Sequence, residues 1–432
     1  MELAFITAVA MLALTFFLMS GLWIGVALLG VGLVTFLVGT TAPAGAIMAT
    51  SIWGGSASWT LTALPLFVWM AEILFRTKLS EEMFQGLAPW MGGLPGRLLH
   101  VNIVGCGIFA AACGSSAATM ATVGRISLPE LKKRGYDEKV AIGSLCSAGT
   151  LGIMIPPSIT FILYGATAEV SIARLFAAGI LPGILLIVLF MSYIIVWALL
   201  NPAKMPPREP SMPFLERIKQ ARNLIPISLL IVFVIGSIYT GVATPPESAG
   251  LGVTGALILS AISGTLTRAS FIASVREATR TSCMIGLIFS GTIYLSAAMD
   301  FTGMPHWIAK QIVSFNLSAY GLLAVLTVLF AVLGTFLEGI SIVVLASSLL
   351  LPTVQAAGID LIWFGVFLVL LVEMSMVSPP VGLNLFIIQL MSGRDMAFVS
   401  WACVPFFMLM ILAVVILVVF PGIATYLPSK LF

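Results

Sequence analysis

Apolar residues run along this chain in blocks long enough to cross a bilayer, and polar residues collect between the blocks rather than alternating within them. A straight transmembrane helix needs about 20 apolar residues, and the blocks provide for roughly ten or more such passages. Runs at 3–19 and 21–40, split by Ser20-Gly21, predict two helices; 42–59, with Trp53 and Trp59, reads as an interfacial connector, and 60–76 as a further span. Residues 77–97 set Lys78, Glu81 and Glu82 among apolar side chains, the pattern of an amphipathic helix lying on membrane lipid. The run 98–127 is interrupted at Cys113-Gly114-Ser115-Ser116-Ala117 and followed by a charged stretch, 125–139. Next come 140–171, which holds Pro156-Pro157, a span at 175–200 and a polar loop at 201–222. The plan then recurs: spans at 224–241 and 247–264, a charged connector at 268–280, a span at 281–299, a connector around Lys310, an interrupted run at 319–350, a run at 361–390 holding Pro379-Pro380, and a span at 397–420.

A shift of 223 positions lays Pro129, Pro156, Pro157 and Pro182 over Pro352, Pro379, Pro380 and Pro405, and Leu128, Gly135 and Asp137 over Leu351, Gly358 and Asp360. An internal duplication is the reading. The first repeat is 1–222: scaffold helices 1–76, surface arm 77–97, hairpin 98–127, broken helix 140–171, span 175–200 and cytoplasmic loop 201–222. The second is 223–432: scaffold helices 224–264, arm 268–280, span 281–299, hairpin 319–350, broken helix 361–390 and span 397–420.

Composition agrees, with 60% hydrophobic residues, 9% charged residues and a mean hydropathy of +1.14. The expectation is an all-α polytopic membrane protein with no soluble domain and no nucleic-acid partner. Met1-Glu2-Leu3 lacks the basic start of a signal peptide, so the first apolar run is expected to be retained. Charge sets orientation. If 98–127 and 319–350 are re-entrant hairpins and the proline-paired runs cross fully, every Lys and Arg except Arg174, Lys310 and Lys430 falls on one side. The positive-inside rule makes that side cytoplasmic and both termini periplasmic. It also inverts the two repeats, because Lys132-Lys133-Arg134 lies inside and its mate Gln355-Ala356-Ala357 outside.

Inverted repeats with broken helices are a transporter architecture. Proline has no N–H and clashes with the carbonyl one turn back, so each pair must open its helix and free backbone groups. Inside a membrane such groups persist only where protein, water or ligand covers them. Freed carbonyls suit a hard cation such as Na⁺, and the helix N-terminus after a break suits an anion. The plainer reading is a packing kink; two pairs at symmetric positions, each preceded by an interrupted hairpin, count against it. Gly114-Ser115-Ser116-Ala117-Ala118-Thr119 offers hydroxyls at the first interruption, although Gly and Ser also serve ordinary helix packing. Gly334-Thr335-Phe336-Leu337-Glu338-Gly339 adds a carboxyl within the second. Glu338 reads equally as a ligand or as a structural carboxylate beside a helix N-terminus, Glu373 rather as structural, and Glu169 and Asp300 as interfacial.

Other chemistry is weaker. Cys106, Cys113, Cys146, Cys283 and Cys403 show no metal-like spacing. His100 and His306 fall near opposite interfaces without a hydrolase signature, which disfavours an enzyme. A channel would need a ring of charges or a repeated filter, and neither appears. A stand-alone cation/proton antiporter stays open, with Glu338 and Glu373 the only acids near the breaks, as does a carboxylate symporter that works without a binding protein.

Taken together, Gly114 to Thr119, Pro129, Gly135-Tyr136, Leu151 to Ser158, Tyr164-Gly165 and Leu175 to Gly183 resemble the large membrane subunit of tripartite ATP-independent periplasmic (TRAP) transporters. The second half agrees through Gly358-Ile359-Asp360, Phe364-Gly365 and Ser378-Pro379-Pro380-Val381-Gly382-Leu383-Asn384-Leu385-Phe386. Ser378 stands where Thr is commoner, keeping the hydroxyl. The resemblance implies an elevator-type transporter of the ion-transporter superfamily in the bacterial inner membrane. It would import a small organic acid, such as a C4-dicarboxylate or sialic acid, by sodium symport. Its partners would be a small four-helix membrane subunit and a periplasmic substrate-binding protein. Two Na⁺ sites and no organic cofactor are implied: Ser115, Ser116, Gly149, Thr150 and Ile155 at the first, and Gly334, Thr335, Glu338, Val377 and Ser378 at the second. The substrate carboxylate would lie near Ser116, Pro157, Gly339 and Pro380.

Overall fold

The computed structural model describes residues 2–77, 79–207, 212–305, 307, 310, 319–334, 339–378 and 382–432. Its helices in the first half are α1 Glu2–Met19, α2 Ile24–Gly39, α3 Ala44–Ser56, α4 Ala63–Phe75, α5 Leu79–Met91, α6 Leu99–Cys113, α7 Ser116–Lys133, α8 Glu138–Met154, α9 Ile159–Thr167 and α10 Ile172–Leu200. The second half follows with α11 Phe214–Ala221, α12 Ile225–Tyr239, α13 Pro245–Ile262, α14 Arg268–Thr302, α15 Ala319–Leu333, α16 Gly339–Ala356, α17 Leu361–Met376, α18 Leu383–Ser392, α19 Met396–Val419 and α20 Gly422–Leu431.

Helix ends recur 223 positions apart. Asp137 and Asp360 cap α8 and α17 by accepting from the backbone N–H groups of Val140 at 3.1 Å and Trp363 at 2.7 Å. Each such cap stabilises a helix start by about 1 kcal/mol. Before them, Gly135 and Gly358 adopt φ of 75° and 70°. The turns they make close with the same bonds, Tyr136 N–H to Leu131 O and Ile359 N–H to Val354 O. A left-handed residue with a Cβ is strained there, which is why glycine ends α7 and α16.

Among the described residues, three helices, α10, α14 and α19, are individually long and apolar enough to cross a membrane, and α8 with α9 passes as one span bent by 42°. Other apolar helices, α1, α2, α6, α15, α17 and α18, are shorter than a straight span. In three places helix extends further than the hydropathy pattern predicts. The connector at 42–59 is largely α3, the charged residues Arg125 to Lys133 remain within α7, and the charged segment 268–280 is continuous with the span after it in the 35-residue α14. Arg, Glu and Ala favour helix, and charge alone does not end one.

One seam has a distinct construction. Gly25, Gly32 and Gly39 recur every seven residues on α2, and a Cβ at each would meet Leu287, Tyr294 and Thr302 of α14 at 2.7, 2.8 and 2.4 Å. Missing side chains let the two backbones touch, as small residues do between membrane helices. Elsewhere α8 and α17 are buried along almost their whole length, while Leu12, Phe16, Leu37, Val232 and Leu199 face outward, as lipid contact permits.

Candidate functional site

Helix α6 ends at Gly114, whose φ is +61° and whose Cβ, if present, would lie 2.7 Å from the carbonyl oxygen of Pro157. The first interruption therefore sits directly on the first proline break. Alongside it, a Cβ on Gly152 would fall 2.5 Å from Ser115 O and 2.7 Å from Thr119 Oγ1, and one on Gly149 would fall 2.6 Å from Met120 Cβ. Without side chains at these positions, α8 can lie against the start of α7.

The break itself leaves an account of carbonyls. Ile155 N–H makes the last helical bond, to Leu151 O at 3.0 Å. Pro156 and Pro157 cannot donate to Gly152 O and Ile153 O, the acceptors a continuing helix would use. The Ser158 hydroxyl donates to Ile153 O, and the same oxygen caps α9 by accepting from Phe161 N–H. Thr150 is fully buried and donates to Ser147 O at 2.7 Å. Around it, Ser147 Oγ and Thr119 Oγ1 are buried without a hydrogen-bond partner. Neutral oxygens thus line the contact between tip and break, with Ser115 O and Thr119 Oγ1 against Gly152 and Pro157 O against Gly114. Such a set suits a monovalent hard cation better than a divalent one, which takes carboxylates.

In the second half, a Cβ on Gly334 at the end of α15 would lie 1.9 Å from Ser375 Cβ, and one on Gly339 at the start of α16 would lie 2.8 Å from Val372 Cγ1. Ser375 and Val372 are the mates of Gly152 and Gly149. The small residue has changed sides, and the close approach is kept. Val377 closes α17, and Ser378 Oγ donates to Ala331 O at 3.4 Å. Thr335, Glu338 and Pro380 lie outside the described residues. Glu373, the mate of Thr150, is fully buried with no hydrogen bond of ordinary geometry to either carboxyl oxygen.

The halves interlock crosswise. α9 packs on α16, and α18 packs on α7. Tyr164 Oη donates to Leu361 O at 2.7 Å, and its ring lies 6.4 Å from that of Phe364. On the other side Asn384, fully buried in the first turn of α18, donates from Nδ2 to Ser116 Oγ at 2.8 Å and to Cys146 O at 3.4 Å. The geometry thus gathers the first-tip residues at the first break and sets Gly334 and Gly339 against α17, at whose end Val377 and Ser378 stand, and Asn384 ties the second half to Ser116. Asn384 and Thr119 are absent from the site expected from the sequence. Their signal was a polar side chain inside an apolar run.

Near the charged end of α7, a cavity of about 640 Å³ opens between α7, α8 and α18. Arg125 and Lys132 border it along one face of α7, Ala141 and Ile142 line it from α8, and Ile387 from α18. Arg125 also stacks its guanidinium 5.5 Å from the Phe75 ring. Glu138 accepts two hydrogen bonds from Arg394 at the rim, one of them from Nε at 2.9 Å.

Residues 10–423 match the model of the family described as the tripartite ATP-independent periplasmic transporter, DctM component. The chain is 29% identical over 385 residues to the C4-dicarboxylate TRAP transporter large permease protein DctM of Pseudomonas aeruginosa, covering 89% of this chain and 90% of that one. It is 27% identical to the sialic acid TRAP transporter large permease protein SiaM of Vibrio cholerae, covering 95% and 96%. These relatives are permeases, not enzymes. Among solved structures, the YdaH transporter of Alcanivorax borkumensis shares the fold with a TM-score of 0.62 at 12% identity, covering 87% of each chain. With its apolar broken helices and a family match over nearly its whole length, the chain belongs to the large membrane component of the tripartite ATP-independent periplasmic transporters.

Proposed function

We propose that this protein is the sodium-coupled permease of a bacterial inner-membrane importer for a small organic acid, with both termini periplasmic. A periplasmic binding protein delivers the acid, a small membrane subunit completes the complex, and the two halves work as inverted repeats in an elevator cycle. The observation that carries this reading is the seating of the first tip on the first break, where bare glycines and unpartnered neutral oxygens meet. Sodium would be held by Ser115, Gly149, Thr150 and Ile155 in the first half and by Gly334, Val377 and Ser378 in the second, with Thr335 and Glu338 assigned by the resemblance. The hydroxyl of Ser116 offers a donor to a carboxylate as well as a lone pair to the cation. Arg125 and Lys132 at the cavity give an organic anion a favourable field on its way to the cytoplasm. The named relatives transport C4-dicarboxylates and sialic acid, which supports a carboxylate as the cargo.

Uptake by proteoliposomes holding the complex, with binding protein added outside, tests the reading. Ser116→Ala and Ser378→Ala should each weaken sodium-driven uptake while the protein remains folded; full uptake with unchanged sodium dependence in both would refute the site, and robust uptake without a binding protein would refute the tripartite assembly. A second reading, in which a proton is the driving ion, is favoured by the fully buried carboxyl of Glu373, which has no ion-pair partner among the described residues. Uptake driven by a pH gradient in the absence of sodium, and lost in Glu373→Gln, would establish it.

A further inference from the structure

Asn384 presents an unfinished hydrogen-bonding pattern. Its Nδ2 reaches two acceptors, Ser116 Oγ and Cys146 O. A backbone carbonyl can only accept, so the contact with Cys146 fixes which end of the amide is nitrogen. The other end, Oδ1, is then an acceptor sealed from solvent and without a partner. Buried amide oxygens are rarely left so, because the unmet group is destabilising. Thr119 is in the same condition one turn along α7 from Ser116: fully buried, its Oγ1 unpartnered and, beside Ser115 O, turned toward the bare backbone of Gly152.

We propose that Asn384 Oδ1 and Thr119 Oγ1 are ligand atoms of the first cation site, so that this site is built from both halves of the chain rather than from the first tip and break alone. The inference rests on the sodium reading above and adds to it a ligand from α18. The donors around it are all neutral oxygens, from an amide, hydroxyls and a carbonyl, which matches a monovalent hard cation. A cation there satisfies both orphaned oxygens and draws α18 onto α7. Sodium binding would then register the position of the opposite half directly.

Sodium chloride alone is a sufficient probe. The full chain with its small subunit, in detergent, is titrated with sodium against choline at constant ionic strength, and the apparent melting temperature is followed. Asn384→Ala should raise the half-saturating sodium concentration by about tenfold. Asn384→Asp, which keeps an oxygen and adds a charge, should leave it unchanged or lower it. Thr119→Val should raise it, and Thr119→Ser should restore it. Asn102 serves as a control, because its amide is likewise held by α8, through Ala141 O and Ser144 Oγ, but away from the tip; Asn102→Ala should lower the melting temperature in choline without moving the sodium midpoint. Midpoints within about twofold of the native value for both Asn384→Ala and Thr119→Val would overturn the proposal. A native protein indifferent to sodium would instead remove the sodium coupling on which it stands.

Discussion

The two crosswise junctions occupy equivalent positions and are filled differently. Where α18 meets α7 and α8, Ala141 and Ile387 border an open cavity. At the mates of these residues, where α9 meets α16 and α17, stand Phe364 and Tyr164, two buried rings with the tyrosine hydroxyl bonded across to Leu361. Arg125 and Lys132 are likewise matched by Ser348 and Gln355. The backbone frame is shared, and side-chain volume and charge differ. Matched positions are thus open and basic at one junction and occupied by two aromatic rings at the other.

Removing the solid side should have the largest effect. Tyr164→Ala should cost about 3–5 kcal/mol, as other large-to-small changes at buried aromatics do, read as a marked fall in unfolding temperature; a variant as stable as the native protein would show that the rings do not hold the junction. Filling the open side is the converse. Ala141→Phe combined with Ile387→Tyr should reduce uptake by at least about tenfold while the fold survives, because the added rings project into the cavity of about 640 Å³ and narrow it. Undiminished uptake would mean that the cavity is no passage. Tyr164→Phe isolates the hydroxyl and should cost about 1 kcal/mol. Smallest is Arg394→Gln at the rim, which removes an exposed pair and should be detectable only as a slight destabilisation that vanishes at high salt.

The first break and first tip were legible in the sequence because their causes are written there. Proline cannot donate, and glycine adopts the positive φ found at Gly114, Gly135 and Gly358 without the strain a Cβ brings. What could not be read depends on how distant parts meet. Asn384 and Ser116 are separated by 268 positions, and no local pattern records that α18 of one half lies on α7 of the other. The continuity of α14 was obscured for another reason: hydropathy registers Arg268, Arg276 and Arg280 as a boundary, whereas no glycine or proline interrupts 268–280 and Thr267 caps its start.

The glycine seam between α2 and α14 has a practical consequence for measuring motion. Two helices in backbone contact over two heptads behave as a laminated beam, since neither can slide or bend without lifting the other's ridge out of its groove. A spectroscopic label on each should report one constant separation through a whole transport cycle. That pair would supply an internal ruler, against which any displacement of a third label on α18 can be read in the same sample.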